Sequence, residues 1–345
     1  MGFMGNYLTN LAGLWVGLEP ARPLMFSYYI THRCHLNCRY CCDGDGKRFA
    51  EDPIPELDAS DAKRLLSILR QAGDTLDVTG GEPLMRGDLE EILAHARSIG
   101  LRTVLNTKGI GLAGRPDLLR HTDVLVLSLD TLDPDCLAGL IGRPRSVAEE
   151  ILATLDFALA ARRRTGVKIV LAAVATPDNL EQVAEVLKFA VANCLGFQVS
   201  PEILGTEVNP ALRANDRYRA LIDRALEAKR SRAGVLGVAE YLLGIRDVRP
   251  FRCHPLLMPV IRPDGRMYYP CLEWKRAQIS LLEAGSYWGA LRAARARFGR
   301  LPNCRNCCHI FCHMALSLLQ THPLAALGEL RHWRGLSPAV KDSTP

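Results

Sequence analysis

Between residues 24 and 201, six apolar, strand-like runs alternate with helical segments, and this alternation limits the architecture more than any other feature of the chain. The runs cover 24–31, 75–79, 102–106, 124–128, 167–175 and 197–200. Helical periodicity fills 59–71 (with Asp58 as its cap), 88–99, 116–121, 147–163 and 180–193. Runs this apolar suit strands covered by helices in a parallel sheet. Right-handed crossovers curl six such units into an open barrel, two short of a complete one. The expected fold class is therefore α/β, a partial (β/α)6 TIM-type barrel. In parallel barrels the chemistry collects at the C-terminal ends of the strands.

The loop after the first run reads Cys34-His35-Leu36-Asn37-Cys38-Arg39-Tyr40-Cys41. Three thiolates at C-x3-C-x2-C spacing can hold three irons of a four-iron cubane, leaving the fourth iron to a non-protein ligand. A zinc knot is the competing reading, with Cys42 or His35 as fourth ligand, although zinc prefers paired C-x2–4-C hooks. After the second run comes Thr79-Gly80-Gly81-Glu82-Pro83. Two glycines there let backbone approach a ligand closely, and the carboxylate can accept from an ammonium group. Alone, this segment is an ordinary turn signal. In this order and at this distance, the two motifs together resemble the radical S-adenosylmethionine (SAM) superfamily.

That resemblance implies a [4Fe–4S] cluster on Cys34, Cys38 and Cys41, with SAM chelating the open iron. It also implies that Gly80, Gly81 and Glu82 bind the SAM amino group, and that Tyr40 is the aromatic residue before the third cysteine. Ser128, at the fourth strand end, matches a position that lies near the ribose in relatives. The stretch Asn106-Thr107-Lys108-Gly109 looks like the Thr-Asn-Gly turn of relatives but departs from it, and no role is carried over. The reduced cluster would cleave SAM to a 5′-deoxyadenosyl radical that abstracts hydrogen from substrate. The electron would come from a reductase, flavodoxin or ferredoxin.

Twelve cysteines is a high number, and they cluster at the front and back of the sequence. A disulfide framework suits small secreted domains, so metal ligation is the better account here. Cys253 and Cys271 flank a hairpin signal, Arg262-Pro263-Asp264-Gly265, in which Pro presets φ and Gly supplies a positive φ. Cys304-Arg305-Asn306-Cys307 follows. This order resembles the twitch region of radical SAM enzymes, a smaller relative of SPASM. The resemblance implies one auxiliary [4Fe–4S] cluster on Cys253, Cys271, Cys304 and Cys307. Cys308 or Cys312 could replace a ligand, and zinc is the alternative metal.

The expected divisions are an N-terminal amphipathic helix (1–23), the barrel (24–215), a helical linker (216–249) and the auxiliary region (250–345). In the helix, Tyr7, Leu8, Leu11, Leu14, Trp15 and Leu18 recur at helical spacing, which predicts an apolar face docked on the barrel, or else a peripheral membrane contact. A net charge of +6 with scattered basic residues gives no nucleic-acid stripe. Neither a signal peptide nor a run long enough to span a membrane is visible, so the expected compartment is the cytoplasm. With the first strand starting near residue 24, no room is left for a leader-binding domain. The expected substrate is therefore a small molecule such as a sugar, cyclitol or other metabolite. A lipid or isoprenoid comes next, on the strength of the apolar chain ends, then a peptide in RiPP maturation. An iron–sulfur or zinc-binding interaction protein is the non-enzyme alternative.

Overall fold

The computed structural model describes residues 2–42, 45–274, 277–299, 308–326 and 328–329. Helix α1 (Phe3–Trp15) leads into strand β1 (Phe26–Thr31). Helix α2 (Ala59–Ala72), β2 (Thr75–Gly80), α3 (Leu89–Ser98), β3 (Arg102–Thr107) and β4 (Val124–Ser128) follow. Next come α4 (Pro134–Ile141), α5 (Arg145–Thr165), β5 (Lys168–Ala175), α6 (Leu180–Ala192) and β6 (Gly196–Pro201). Strands β1 to β6 lie side by side in chain order, every pair parallel, which gives the open six-unit barrel.

Strand periodicity explains the layers. Phe26, Tyr28 and Ile30 of β1 are all fully buried, in one core with Leu65, Leu66 and Leu69 of α2. Each such side chain contributes about 1.5–3 kcal/mol by leaving water. Tyr29, between them, faces the other way, toward Met258, Val260 and Tyr268. Asp58 caps α2 by accepting from the Asp61 amide. Helix α4 has no counterpart among the expected elements. Its signal was local: Asp133 accepts from the Cys136 amide, and Pro134 occupies the first turn.

Beyond the barrel, a two-stranded ribbon of β7 (Ile203–Leu204) and β8 (Glu207–Val208) precedes α7 (Pro210–Arg213), α8 (Asp216–Arg230) and α9 (Ala239–Arg246). The hairpin forms as β9 (Val260–Ile261) and β10 (Arg266–Tyr269), turning at Gly265 with φ +75°. Strand β9 pairs parallel with β1, and β11 (Ala277–Ser280) adds to β10, so one nine-stranded sheet runs through both regions. Short α10 (Leu281–Ala284), then α11 (Tyr287–Phe298) and α12 (Phe311–Thr321), complete the described elements. At the start of α12, Phe311 packs with Val104, Val124, Val126 and Val170, on the sheet face opposite the outer helices.

Helix α1 docks only part of its predicted apolar face: Tyr7, with Phe3 and Leu11 beside it, packs on Leu24 and Leu257. Asn6, Tyr7 and Asn10 are buried, while Met4, Leu8, Trp15, Val16 and Leu18 are exposed, Trp15 by 83%. The cause is a row of backbone acceptors without strand partners. The Asn6 amide donates to Pro23 O and Ala72 O, each at 2.7 Å, and the Asn10 amide donates to Arg22 O at 2.8 Å. Buried carbonyls need donors, and a leucine offers none. Among the described residues, no helix is long and apolar enough to cross a membrane.

Candidate SAM and iron–sulfur site

The loop after β1 and the loop after β2 are joined backbone to backbone. The Gly81 amide donates to Thr31 O and the Glu82 amide to Arg33 O, both at 2.8 Å. Gly80 has φ +134°, and a Cβ there would lie 2.2 Å from Thr31 O. At Gly81 a Cβ would lie 2.2 Å from Arg33 O. The pair of glycines is thus demanded by the chain that leads into the cysteine loop. Sequence reasoning gave them a different close approach, that of a ligand.

Glu82 is 1% exposed. Its carboxylate accepts from the Leu84 amide (3.1 Å), the Thr107 hydroxyl (2.5 Å) and the Lys108 amide (2.9 Å). Burial raises its pKa above the usual carboxylate value, against the pull of these hydrogen bonds. The same carboxylate that the family motif assigns to SAM therefore also ties β2 to β3. Arg86, buried, anchors the next turn by donating to Ile30 O and Leu57 O and pairing in bidentate fashion with Asp88.

The cysteine loop is held at three further points. The Asn37 amide donates to Ile141 O at 2.8 Å, and the Arg39 amide to Leu140 O at 3.3 Å, so the loop leans on the end of α4. Tyr40 reaches inward and donates its hydroxyl to Asp130. The Lys108 ammonium donates to Asp130 Oδ2 at 2.8 Å and to the Tyr40 hydroxyl at 3.1 Å. The Val174 amide occupies Asp130 Oδ1 at 2.9 Å. Burial alone would lower the Lys108 pKa, but Asp130, Cys38 and Glu82 together outweigh it and the ammonium is held above its ordinary value. Removing one partner of a buried pair of this kind costs about 3–5 kcal/mol. Sequence reading carried no role over to Lys108 and did not pair it with Asp130, because nothing in their spacing reveals that β3 and β4 bring both to Tyr40.

Burial raises the thiol pKa of Cys34 and Cys38, with Lys108 opposing it in both, and pushes Cys41 up to about 12 with Cys38 and Cys34 adding to the rise. The three thiols therefore feel one another at the same strand-end rim. Among the described residues no three His, Cys, Asp or Glu side chains gather around a single-ion position. A four-iron cluster places its thiolates on separate irons and needs a wider set. Three mutually interacting thiols beside a buried ammonium, on a loop braced by two glycines, fit such a cluster. Ser128 ends β4 on this rim, and its hydroxyl has no hydrogen-bond partner among the described residues.

In the C-terminal region Cys253 and Cys271 are half-buried. Cys271 is pushed up to about 12, first by burial, with Cys308 among the neighbours that add to it. Cys304 and Cys307 lie outside the described residues. Cys312 is half-buried near Asp77, whose own pKa burial raises to about 7 against a hydrogen bond from Ser27.

The radical SAM superfamily pattern matches residues 28–190, the span that carries both loops and the first five strands. Residues 28–190 of this chain are a radical SAM domain. A PqqA peptide cyclase of Xanthomonas euvesicatoria pv. vesicatoria (strain 85-10) is 31% identical over 180 residues, 49% of this chain and 44% of that protein. The chain thus spans under half the length of that curated relative. The crystal structure of Streptococcus suis SuiB bound to S-adenosylmethionine superposes with a TM-score of 0.59 at 20% identity, covering 81% of this chain and 68% of that one. SuiB bound to its precursor peptide SuiA gives the same TM-score at 19% identity, covering 81% and 67%. Such a domain implies a SAM-binding [4Fe–4S] cluster and SAM itself.

These relatives overturn the expected sugar, cyclitol or other small-metabolite substrate, and the lipid or isoprenoid ranked after it. The 31%-identical relative is named for a peptide reaction, and SuiB has been solved with a peptide. The expectation went astray for two physical reasons. It took the position of the first strand as a statement about substrate. It also read the apolar chain ends as lipid contact, whereas the stripe on α1 is a consequence of which carbonyls its asparagines must serve.

Proposed function

We propose that this chain is a peptide-modifying radical SAM enzyme. Its cluster is held by Cys34, Cys38 and Cys41, and its SAM by the rim of Gly80, Gly81, Glu82, Tyr40 and Ser128. When bound, the reduced cluster and SAM supply a 5′-deoxyadenosyl radical, which removes a hydrogen atom from the substrate. The observation that carries the peptide reading is the 31% identity to a peptide cyclase over 180 residues. The protein's own part is positioning. The backbone bonds from Gly81 and Glu82 set the cysteine loop against β2, and the half-buried Tyr40 fixes its far end.

An auxiliary [4Fe–4S] cluster on Cys253, Cys271, Cys304 and Cys307 belongs to the same proposal, as do a boundary near residue 250 and a cytoplasmic setting with a flavodoxin- or ferredoxin-type donor. Support comes from the hairpin that Cys253 and Cys271 flank.

Deuterium transfer tests the substrate class. Anaerobically reconstituted protein is incubated with SAM, reductant and either the peptide fraction of a deuterated lysate of its host or deuterated sugars and cyclitols. Deuterium should enter 5′-deoxyadenosine from the peptide fraction only. Transfer from the sugars or cyclitols alone would refute the peptide reading.

A further inference from the structure

Lys108 is an unusual residue to bury where it stands. It is 8% exposed, and Asp130 beside it is fully buried. Its backbone amide serves Glu82 while its ammonium serves Asp130 and Tyr40, so a single residue bonds both the Gly-Gly-Glu loop and the cysteine loop. A neutral donor could bridge Tyr40 and Asp130 without the cost of desolvating an ammonium. What a neutral donor lacks is the charge. Through its bond to Tyr40, the residue before Cys41, the ammonium is fixed beside the cysteine loop, inside protein, where salt screens it little.

We infer that Lys108 supplies a positive charge that eases electron uptake by the cluster at Cys34, Cys38 and Cys41, and that Asp130 and Tyr40 hold this charge in position. The inference rests on the cluster assignment above. In the step concerned, a low-potential one-electron donor adds one electron, and hence one negative charge, to the cluster, and no bond forms or breaks. A fixed cation nearby stabilises the more negative state and moves the midpoint potential upward. Lys108 is accordingly a positioning and electrostatic residue. Nothing in its geometry requires it to touch substrate.

Potentiometry on the iron-loaded full chain tests this. The cluster is titrated without SAM against dithionite-poised dyes and followed by EPR, using the signal that a Cys34→Ala variant lacks. Lys108→Met should keep its iron and shift the midpoint to a more negative value. Lys108→Arg, which keeps the charge, should stay at the wild-type midpoint. An unchanged midpoint in an iron-replete Lys108→Met variant overturns the inference. So does an equal fall in the Met and Arg variants, since shape rather than charge would then be responsible. If Lys108→Met cannot hold iron, Lys108→Gln decides, a neutral donor in place of the ammonium. Its midpoint should also be more negative than wild type, and an unchanged midpoint in that iron-replete variant overturns the inference. Wild-type protein that takes up no cluster at Cys34, Cys38 and Cys41 would overturn both this inference and the assignment on which it rests.

Discussion

The strand-end rim and the N-terminal helix both bury polar groups, yet they do so for different reasons. At the rim, two glycines allow one loop to bond another directly, and the polar side chains that follow carry charge: Glu82, Lys108 and Asp130. On α1, asparagine side chains stand in for a missing backbone partner, and no charge is involved. The rim therefore presents buried charge to a ligand. The helix uses buried amides as pegs, docks Tyr7 and Leu11, and leaves Leu8, Trp15 and Leu18 outside. Burial in both places follows unpaired backbone acceptors and donors more closely than it follows hydropathy.

Each half of that comparison can be broken. The largest effect should come from Gly81→Ala, because its Cβ would meet Arg33 O at 2.2 Å and drive the two loops apart. We expect a loss of roughly 3 kcal/mol or more in urea unfolding, together with impaired iron uptake at the cysteine loop. A fully stable, iron-replete Gly81→Ala protein would show that the loops need no such approach. Next in size, Asn6→Ala strands the carbonyls of Pro23 and Ala72. The expected cost is about 2 kcal/mol, with iron content unaffected, since the helix is remote from the cysteines in sequence and serves only carbonyls. Smallest are Leu8→Gln and Trp15→Gln, on the exposed face. They should stay within about 0.5 kcal/mol of wild type. A loss as large as that of Asn6→Ala would mean that the stripe is covered in solution, and the contrast between the two faces would fail.

Much of the barrel was legible because its strands are short, apolar runs closed by polar residues. Val124–Ser128 has the expected bounds, and β1, β2, β3, β5 and β6 lie within two residues of theirs. The chemistry at β1 and β2 was legible for a different reason: ligand spacing along a loop is a one-dimensional property. Lys108 and Asp130 were not legible, since their meeting depends on β3 lying beside β4 and on Tyr40 turning inward. The orientation of α1 escaped because periodicity identifies an apolar face without saying which face meets carbonyls. Helix α4 had an ordinary start signal in Asp133-Pro134, but it was passed over in favour of the longer α5.

The central claim is that Cys34, Cys38 and Cys41 hold the cluster at which SAM is cleaved. Its most direct test is production of 5′-deoxyadenosine by the anaerobically reconstituted, dithionite-reduced full chain given SAM. The wild-type chain should release 5′-deoxyadenosine and methionine. The variant with all three cysteines changed to Ala should release none and lose one cluster's worth of iron. Continued 5′-deoxyadenosine production by that variant would contradict the account.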